Sequence, residues 1–93
     1  MPQLDLHGED RIGARIKVNQ FIKENCELGI EEIAIIHGVG KGILKKEVLL
    51  MLQKDKRVVR YNIDCFNEGC TLVLLDKEKC QCYNTNQNFR GRL

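Results

Sequence analysis

The apolar positions of this chain switch between two spacings, and the switches divide it into elements. In QLDLH, residues 3–7, Leu4 and Leu6 alternate with Asp5 and His7, the pattern of a short strand with one buried face. From Asp10 onward the spacing lengthens. Ala14, Val18, Phe21, Ile22 and Cys26 recur every three or four residues, which predicts an amphipathic helix capped by Asp10 and ended by Gly29. Arg11 and Arg15 run along the edge of that stripe, where apolar residues are the ordinary choice. They are candidates for phosphate or nucleic-acid contact, although their aliphatic stems can equally lie over the core edge.

Ile33, Ala34, Ile35 and Ile36 form the unbroken apolar run of a strand covered on both faces. A glycine-rich loop follows, then a helix over residues 42–55 with Leu44, Val48, Met51 and Leu52 as its core stripe. Ile43 and Leu50 fall on another face, which suggests a partner surface or wider burial than one sheet provides. RVVRYNIDC and CTLVLL read as two more strands joined through FNEG, with Gly69 suited to a tight hairpin turn. The order is β-α-β-α-β-β. Right-handed crossovers make the first three strands parallel, and the short last link makes the fourth antiparallel, giving an α/β fold with a four-stranded mixed sheet. Residues 76–93 lose the apolar pattern and read as a polar, flexible tail beyond a domain at 1–75. Tyr83, Phe89, Arg90 and Arg92 in that tail have the chemistry to stack on and neutralise a single strand, against the simpler reading of plain disorder.

Ninety-three residues, 43% hydrophobic and 30% charged, suit one small globular domain. A formal net charge of +2 gives no global basic field, so binding to a polyanion must come from local clustering. The N-terminus has no apolar leader pattern and no run approaches a membrane span, so the chain reads as soluble and cytoplasmic, with no membrane partner. Five cysteines, at positions 26, 65, 70, 80 and 82, lack a paired C-x2-C knuckle. An odd set without a leader reads as reduced thiols rather than as a disulfide framework or a zinc site. Cys26 and at least one of Cys65 and Cys70 then fill core positions, with Cys80 and Cys82 in the solvated tail.

The chemistry concentrates where two strands end alike, in His7-Gly8 and His37-Gly38. Open sheets place their sites beyond the carboxyl ends of parallel strands. If the first two strands are neighbours, both imidazoles face one substrate, and Asp5, two residues before His7, is placed to orient it. The loop HGVGKG adds an anion site: Gly38, Gly40 and Gly42 leave backbone amides unobstructed at a helix amino end, while Lys41, Lys45 and Lys46 add positive charge. It is neither a Walker A loop nor a dinucleotide fingerprint, so no nucleotide cofactor is implied. A phosphate held between two proton-transfer groups is what phosphodiester cleavage needs. On RNA the neighbouring 2′-hydroxyl can attack without a metal, whereas DNA requires water and favours a divalent ion such as Mg²⁺ or Mn²⁺.

LDLHG at 4–8, IIHGVGKG at 35–42, LKKEV at 44–48 and EGCTLVLL at 68–75 together resemble the small MutS-related (Smr) domain family. The resemblance implies a two-layer α/β sandwich similar to the C-terminal domain of bacterial translation initiation factor three. It also implies nucleic-acid endonuclease activity, since several members nick DNA or cleave RNA, in repair, recombination or RNA quality control. Asp5 and His7 match the family's D-x-H motif, and His37, Gly38, Gly40 and Gly42 its H/T-G-x-G-x-G motif. Gly69 and Thr71 match the glycine-threonine start of the last strand, which supports the fold. Arg11 and Arg15 depart from the family's apolar habit, and the last link is shorter and less glycine-rich. Neither an ATPase nor a mismatch-recognition region is present. The expectation is therefore an endonuclease domain using Asp5, His7 and His37, monomeric or weakly dimeric, with DNA or RNA as partner. Its alternative is a module that docks on nucleic acid or the ribosome without cutting.

Overall fold

The structure, a computed structural model, describes residues 1–80. The elements follow the expected order: β1 (Gln3–Asp5), α1 (Arg11–Glu27), β2 (Glu32–Ile36), α2 (Ile43–Lys54), β3 (Val58–Asp64) and β4 (Asn67–Leu75). They form a mixed four-stranded sheet in the order β1-β2-β4-β3. β1 and β2 are parallel, and β4 runs antiparallel to both β2 and β3, so β3 shares the direction of the first two strands. Both crossovers move the same way across the sheet. Right-handed connections therefore put both helices on one face and leave two layers.

Local chemistry explains the helix ends. The Asp10 carboxylate accepts the Gly13 amide at 2.7 Å and caps α1. At the other end Gly29 turns to φ +75°, its amide donates to the Cys26 carbonyl, and the Ile30 amide donates to Asn25. This pairing satisfies the last carbonyls of the helix, and only a left-handed residue at the turn permits it. α2 starts after Gly42, at φ +78°, and no side chain caps its amino end.

Leu6, Val18, Ile22, Ile33, Ile35, Val48, Leu52, Val73 and Leu75 are buried between sheet and helices. Each such side chain contributes about 1.5–3 kcal/mol. The Arg15–Glu47 ion pair also links α1 to α2, at 3.2 Å, but with the arginine 57% exposed. An exposed pair is worth about 0–1 kcal/mol, so apolar burial and not this pair sets the helix packing. β2 lies between β1 and β4, and Ile33, Ala34 and Ile35 are buried as the unbroken apolar run implies. Ile43 and Leu50 remain about half exposed, outside the core. No helix among the described residues is long and apolar enough to cross a membrane.

Three expectations need correction. Gly69 is not in the hairpin turn: the turn is Cys65-Phe66, and Gly69 sits within β4. Its lack of a side chain serves a close approach instead, since a Cβ there would lie 3.1 Å from the Gly38 Cα. The ordered chain also continues past Leu75. Asp76 accepts the Glu78 and Lys79 amides and starts a helical turn over 77–80, which returns Cys80 to the core. There Cys80 forms a disulfide with Cys26, Cα to Cα 5.2 Å, so these two are not reduced thiols. Of the remaining described cysteines Cys65 is exposed and Cys70 buried, and burial, with Asp64 nearby, pushes the Cys70 thiol pKa up. Tyr83, Phe89, Arg90, Arg92 and Cys82 lie outside the described residues.

Asp55 closes α2 and accepts Arg57 through its backbone amide (2.9 Å), Nε (3.0 Å) and an η nitrogen (2.8 Å). Arg57 also donates to Asn19 on α1 at 3.0 Å, so the cluster ties the α2–β3 loop to the first helix. Burial pushes the Asp55 carboxyl up, but its bonds and charge pairing with Arg57 outweigh this and hold it below the ordinary value of 3.8. A lowered folded-state pKa gives stability that is present above that value and lost as the pH falls through the folded-state value. Asp55→Asn should therefore cost about 1–2 kcal/mol in urea unfolding at pH 7. The gap to the unsubstituted chain should narrow below pH 3.8. An equal gap at pH 7 and pH 3 would refute the assignment.

Candidate active site

The parallel pairing of Asp5 with Ile36 brings the carboxyl ends of β1 and β2 side by side. His7 and His37 follow directly and line one pocket of about 390 Å³, together with Asp5, Gly8, Gly38 and Leu44. A second pocket of about 450 Å³ shares His37, Gly38 and Leu44 with it. Its remaining walls are the glycine loop, Ile43 and the start of α1 at Glu9, Asp10 and Arg11. The two pockets adjoin through these three shared residues at the carboxyl edge of the sheet, and the pair is referred to as the cleft.

The two histidines differ in exposure. His7 is exposed, and among the described residues no hydrogen bond fixes its ring. Asp5 Oδ1 accepts the His7 backbone amide at 2.9 Å, so the carboxylate orients the turn rather than the imidazole. His37 is only 7% exposed. Its Nδ1 lies 3.0 Å from the Gly38 carbonyl, and its Nε2 lies 2.7 Å from Thr71 Oγ1. A carbonyl can only accept, so Nδ1 carries the proton, and in the neutral ring Nε2 accepts the Thr71 hydroxyl. Thr71 is itself fully buried in β4. The backbone completes the clamp, because the Gly69 carbonyl accepts both the His37 amide at 2.8 Å and the Gly38 amide at 3.0 Å.

Beyond this clamp the loop turns at Gly38, φ +82°, and again at Gly42, φ +78°. The first amides of α2 have no intrahelical partner, no side chain caps them, and no acidic residue occupies the first turn. That end of the cleft is thus built for an anion. The acidic groups on the cleft wall are each engaged: Glu9 pairs with Lys17, Asp10 caps α1 and Asp5 accepts the His7 amide. Among the described residues Arg11, Lys41, Lys45 and Lys46 form no ion pair. Arg11 and Lys41 line the cleft, whereas Lys45 and Lys46 lie along α2 outside its walls. Arg15 is turned to Glu47.

The expected group thus divides. Asp5, His7, His37, Gly38, Gly40, Lys41, Gly42 and Arg11 border one cleft, and Arg15, Lys45 and Lys46 do not. Reading the sequence missed Glu47 as the partner of Arg15 and Thr71 as the partner of the His37 ring. Both pairs join residues more than 30 positions apart, and no local pattern announces them. Among the described residues no three His, Cys, Asp or Glu side chains converge to hold a metal ion.

Known proteins resemble this chain in sequence and fold. The chain is 34% identical over 71 residues to the Endonuclease MutS2 of Clostridium tetani and 35% identical over 72 residues to that of Clostridium kluyveri. These matches cover 76% and 77% of this chain, which spans 9% of the length of either relative. The crystal structure of the Smr domain of Thermus thermophilus MutS2 superposes with a TM-score of 0.79 at 29% identity, over 82% of this chain and 99% of that one. YdaL, a stand-alone small MutS-related protein from Escherichia coli, gives a TM-score of 0.77 at 25% identity, over 81% of this chain and 64% of that one. The family model for the Smr domain matches residues 4–76, and the chain belongs to the Smr domain family.

Proposed function

We propose that this chain is a nucleic-acid endonuclease domain that binds a phosphodiester at the amino end of α2 and moves a proton through His7. One observation carries the reading. An exposed imidazole and an uncapped, lysine-flanked helix end line adjoining pockets that share His37, Gly38 and Leu44. Its relatives named Endonuclease MutS2 add weight, although this chain matches only a small part of them.

In the proposed reaction the amides at the start of α2 and Lys41 take up the negative charge on the phosphoryl oxygens. On RNA the neighbouring 2′-oxygen forms a bond to phosphorus as the bond to the 5′-oxygen breaks. The proton of the 2′-hydroxyl leaves, and the 5′-oxygen gains one. His7 serves one of these transfers and solvent the other. Asp5 fixes the turn that presents His7. His37, bonded at both ring nitrogens, is a positioning residue that holds the phosphate loop through Thr71 and Gly38. With DNA, water replaces the 2′-hydroxyl, and a divalent ion such as Mg²⁺ or Mn²⁺ would have to arrive with the substrate. The double tethering of His37 also favours a second reading, in which the cleft docks DNA, RNA or the ribosome without cutting.

A cleavage assay on matched RNA and plasmid DNA, with Mg²⁺, Mn²⁺ or EDTA, separates the two. His7→Ala should lower the rate by about 10²–10⁴ with binding retained. Binding of substrate by the unsubstituted chain without any cleavage would leave only the docking reading. Thr71→Val should shift the His37 ring ¹⁵N resonances and cost about 1–3 kcal/mol of stability, since it leaves a buried ring nitrogen without its donor. Unmoved ring resonances would remove the positioning role. Lys41→Gln should weaken nucleic-acid binding and reduce the slope of log affinity against log salt by about 1, whereas Arg15→Gln, already paired, should change that slope far less. Equal slopes for the Lys41 variant and the unsubstituted chain would place the phosphate elsewhere.

A further inference from the structure

The hairpin joining β3 to β4 carries the most exposed large apolar side chain of the described residues, Phe66, at 95%. Its backbone is not loose. The Phe66 amide donates to Asp64 Oδ1 at 2.9 Å, and the Gly69 amide donates to Asn67 Oδ1 at 3.0 Å, so side chains on both flanks fix the turn. A fixed turn that holds a bare aromatic ring in water gains nothing for the fold from that ring.

Its place in the sheet gives the ring a use. β4 runs antiparallel to β2 and starts where β2 ends, so the β3–β4 tip projects from the same edge as His7 and the phosphate loop. The Gly69 carbonyl, bonded to the His37 and Gly38 amides, ties the hairpin base to that loop. Phe66 is three residues further out, at most about 10 Å from Gly69 along the chain. A ring there stands on the same edge as the glycine loop, on the path of a strand whose phosphate is held by α2. Charge points the same way. Asp64 and Glu68 flank the tip and repel phosphates, while Lys41 and the α2 amides attract them, so a strand crossing this edge places its backbone on the loop and its base toward the hairpin.

We infer that Phe66 is a stacking platform for an unpaired base, which makes single-stranded nucleic acid, or an unpaired nucleotide at an end or bulge, the substrate class of this domain. A base inside a duplex presents no free face to the ring. The inference rests on the proposed nucleic-acid reading and extends it from phosphate to base.

The chain contains no tryptophan, so Phe66→Trp installs a unique fluorophore at the tip. Single-stranded RNA and DNA oligonucleotides should quench and shift its emission, and an abasic strand of equal length and charge should not. Phe66→Ala should weaken binding to the base-bearing strand by about 5- to 100-fold and leave abasic-strand affinity and the salt slope unchanged. An exposed side chain leaves the fold intact on substitution, which circular dichroism checks. Unchanged affinity of Phe66→Ala for single strands, or an equal loss on the abasic strand, overturns the stacking role while the phosphate reading stands. Self-association abolished by Phe66→Ala, with nucleic-acid binding unaltered, overturns it in favour of a protein contact. Absence of binding to any strand by the unsubstituted chain overturns both readings.

Discussion

The Gly69 carbonyl, which accepts two successive amides at the end of β2, is the contact on which the geometry of this edge depends. It requires the backbones of β2 and β4 to come close enough that a Cβ on Gly69 would press on Gly38. Glycine at 69 satisfies that requirement, and three things follow. The glycine loop starts from a fixed point. The His37 ring falls onto Thr71, two residues along β4 from Gly69. The β3–β4 hairpin becomes a rigid outgrowth of the same edge rather than an independent loop. A bulkier residue at 69 would disturb loop, ring and hairpin together, which is why this contact outranks any single side chain of the candidate site.

The electrostatics of the cleft come from pairing more than from net charge. A formal charge of +2 spread over the chain would not select an anion. What changes the local field is that Asp5, Glu9 and Asp10 are already engaged within the fold while, among the described residues, Arg11 and Lys41 on the cleft wall form no ion pair, and that α2 begins without a cap. Arg15 shows the opposite disposal of a charge, turned to Glu47 and lost to the cleft. Sequence proximity made Arg11 and Arg15 look equivalent. One turn of helix separates a cleft residue from an interhelical tie.

How much of this was legible in the sequence depends on the range of the interaction. Asp10 as a cap, Gly29 as a stop, the α1 stripe and the buried run of β2 are local patterns, and all are present as expected. The strand-end histidines and the glycine loop were legible because parallel strands direct their carboxyl ends to one edge. The insertion of β4 between β2 and β3, the Thr71–His37 bond and the Arg15–Glu47 pair rest on distant residues, and no spacing encodes them. Gly69 was misread because a glycine that permits close backbone contact looks, in sequence, like one that permits a turn. Cys80 was misread because the helical turn begun by Asp76 has no apolar period of its own and is held by the disulfide and core contact it reaches.

The unequal setting of the two histidines bears most directly on mechanism. Matching strand ends suggest matching roles, yet burial separates them. A ring with both nitrogens bonded inside the fold has to give up a contact before it can accept or deliver a proton to a substrate, and at Nε2 the vacated partner, the buried Thr71 hydroxyl, then lacks its own bond. An exposed ring bears no such cost and is free to meet an oxygen wherever the phosphate is held. For the proposed proton transfer, one histidine that builds the loop and one that faces solvent are a more economical arrangement than two competing for the same atom. On the proposed reading, the same separation assigns phosphate, proton transfer and base contact to three segments: the α2 amino end, the turn after β1 and the β3–β4 tip. All three meet at one edge because β1 and β2 end there and β4 begins there.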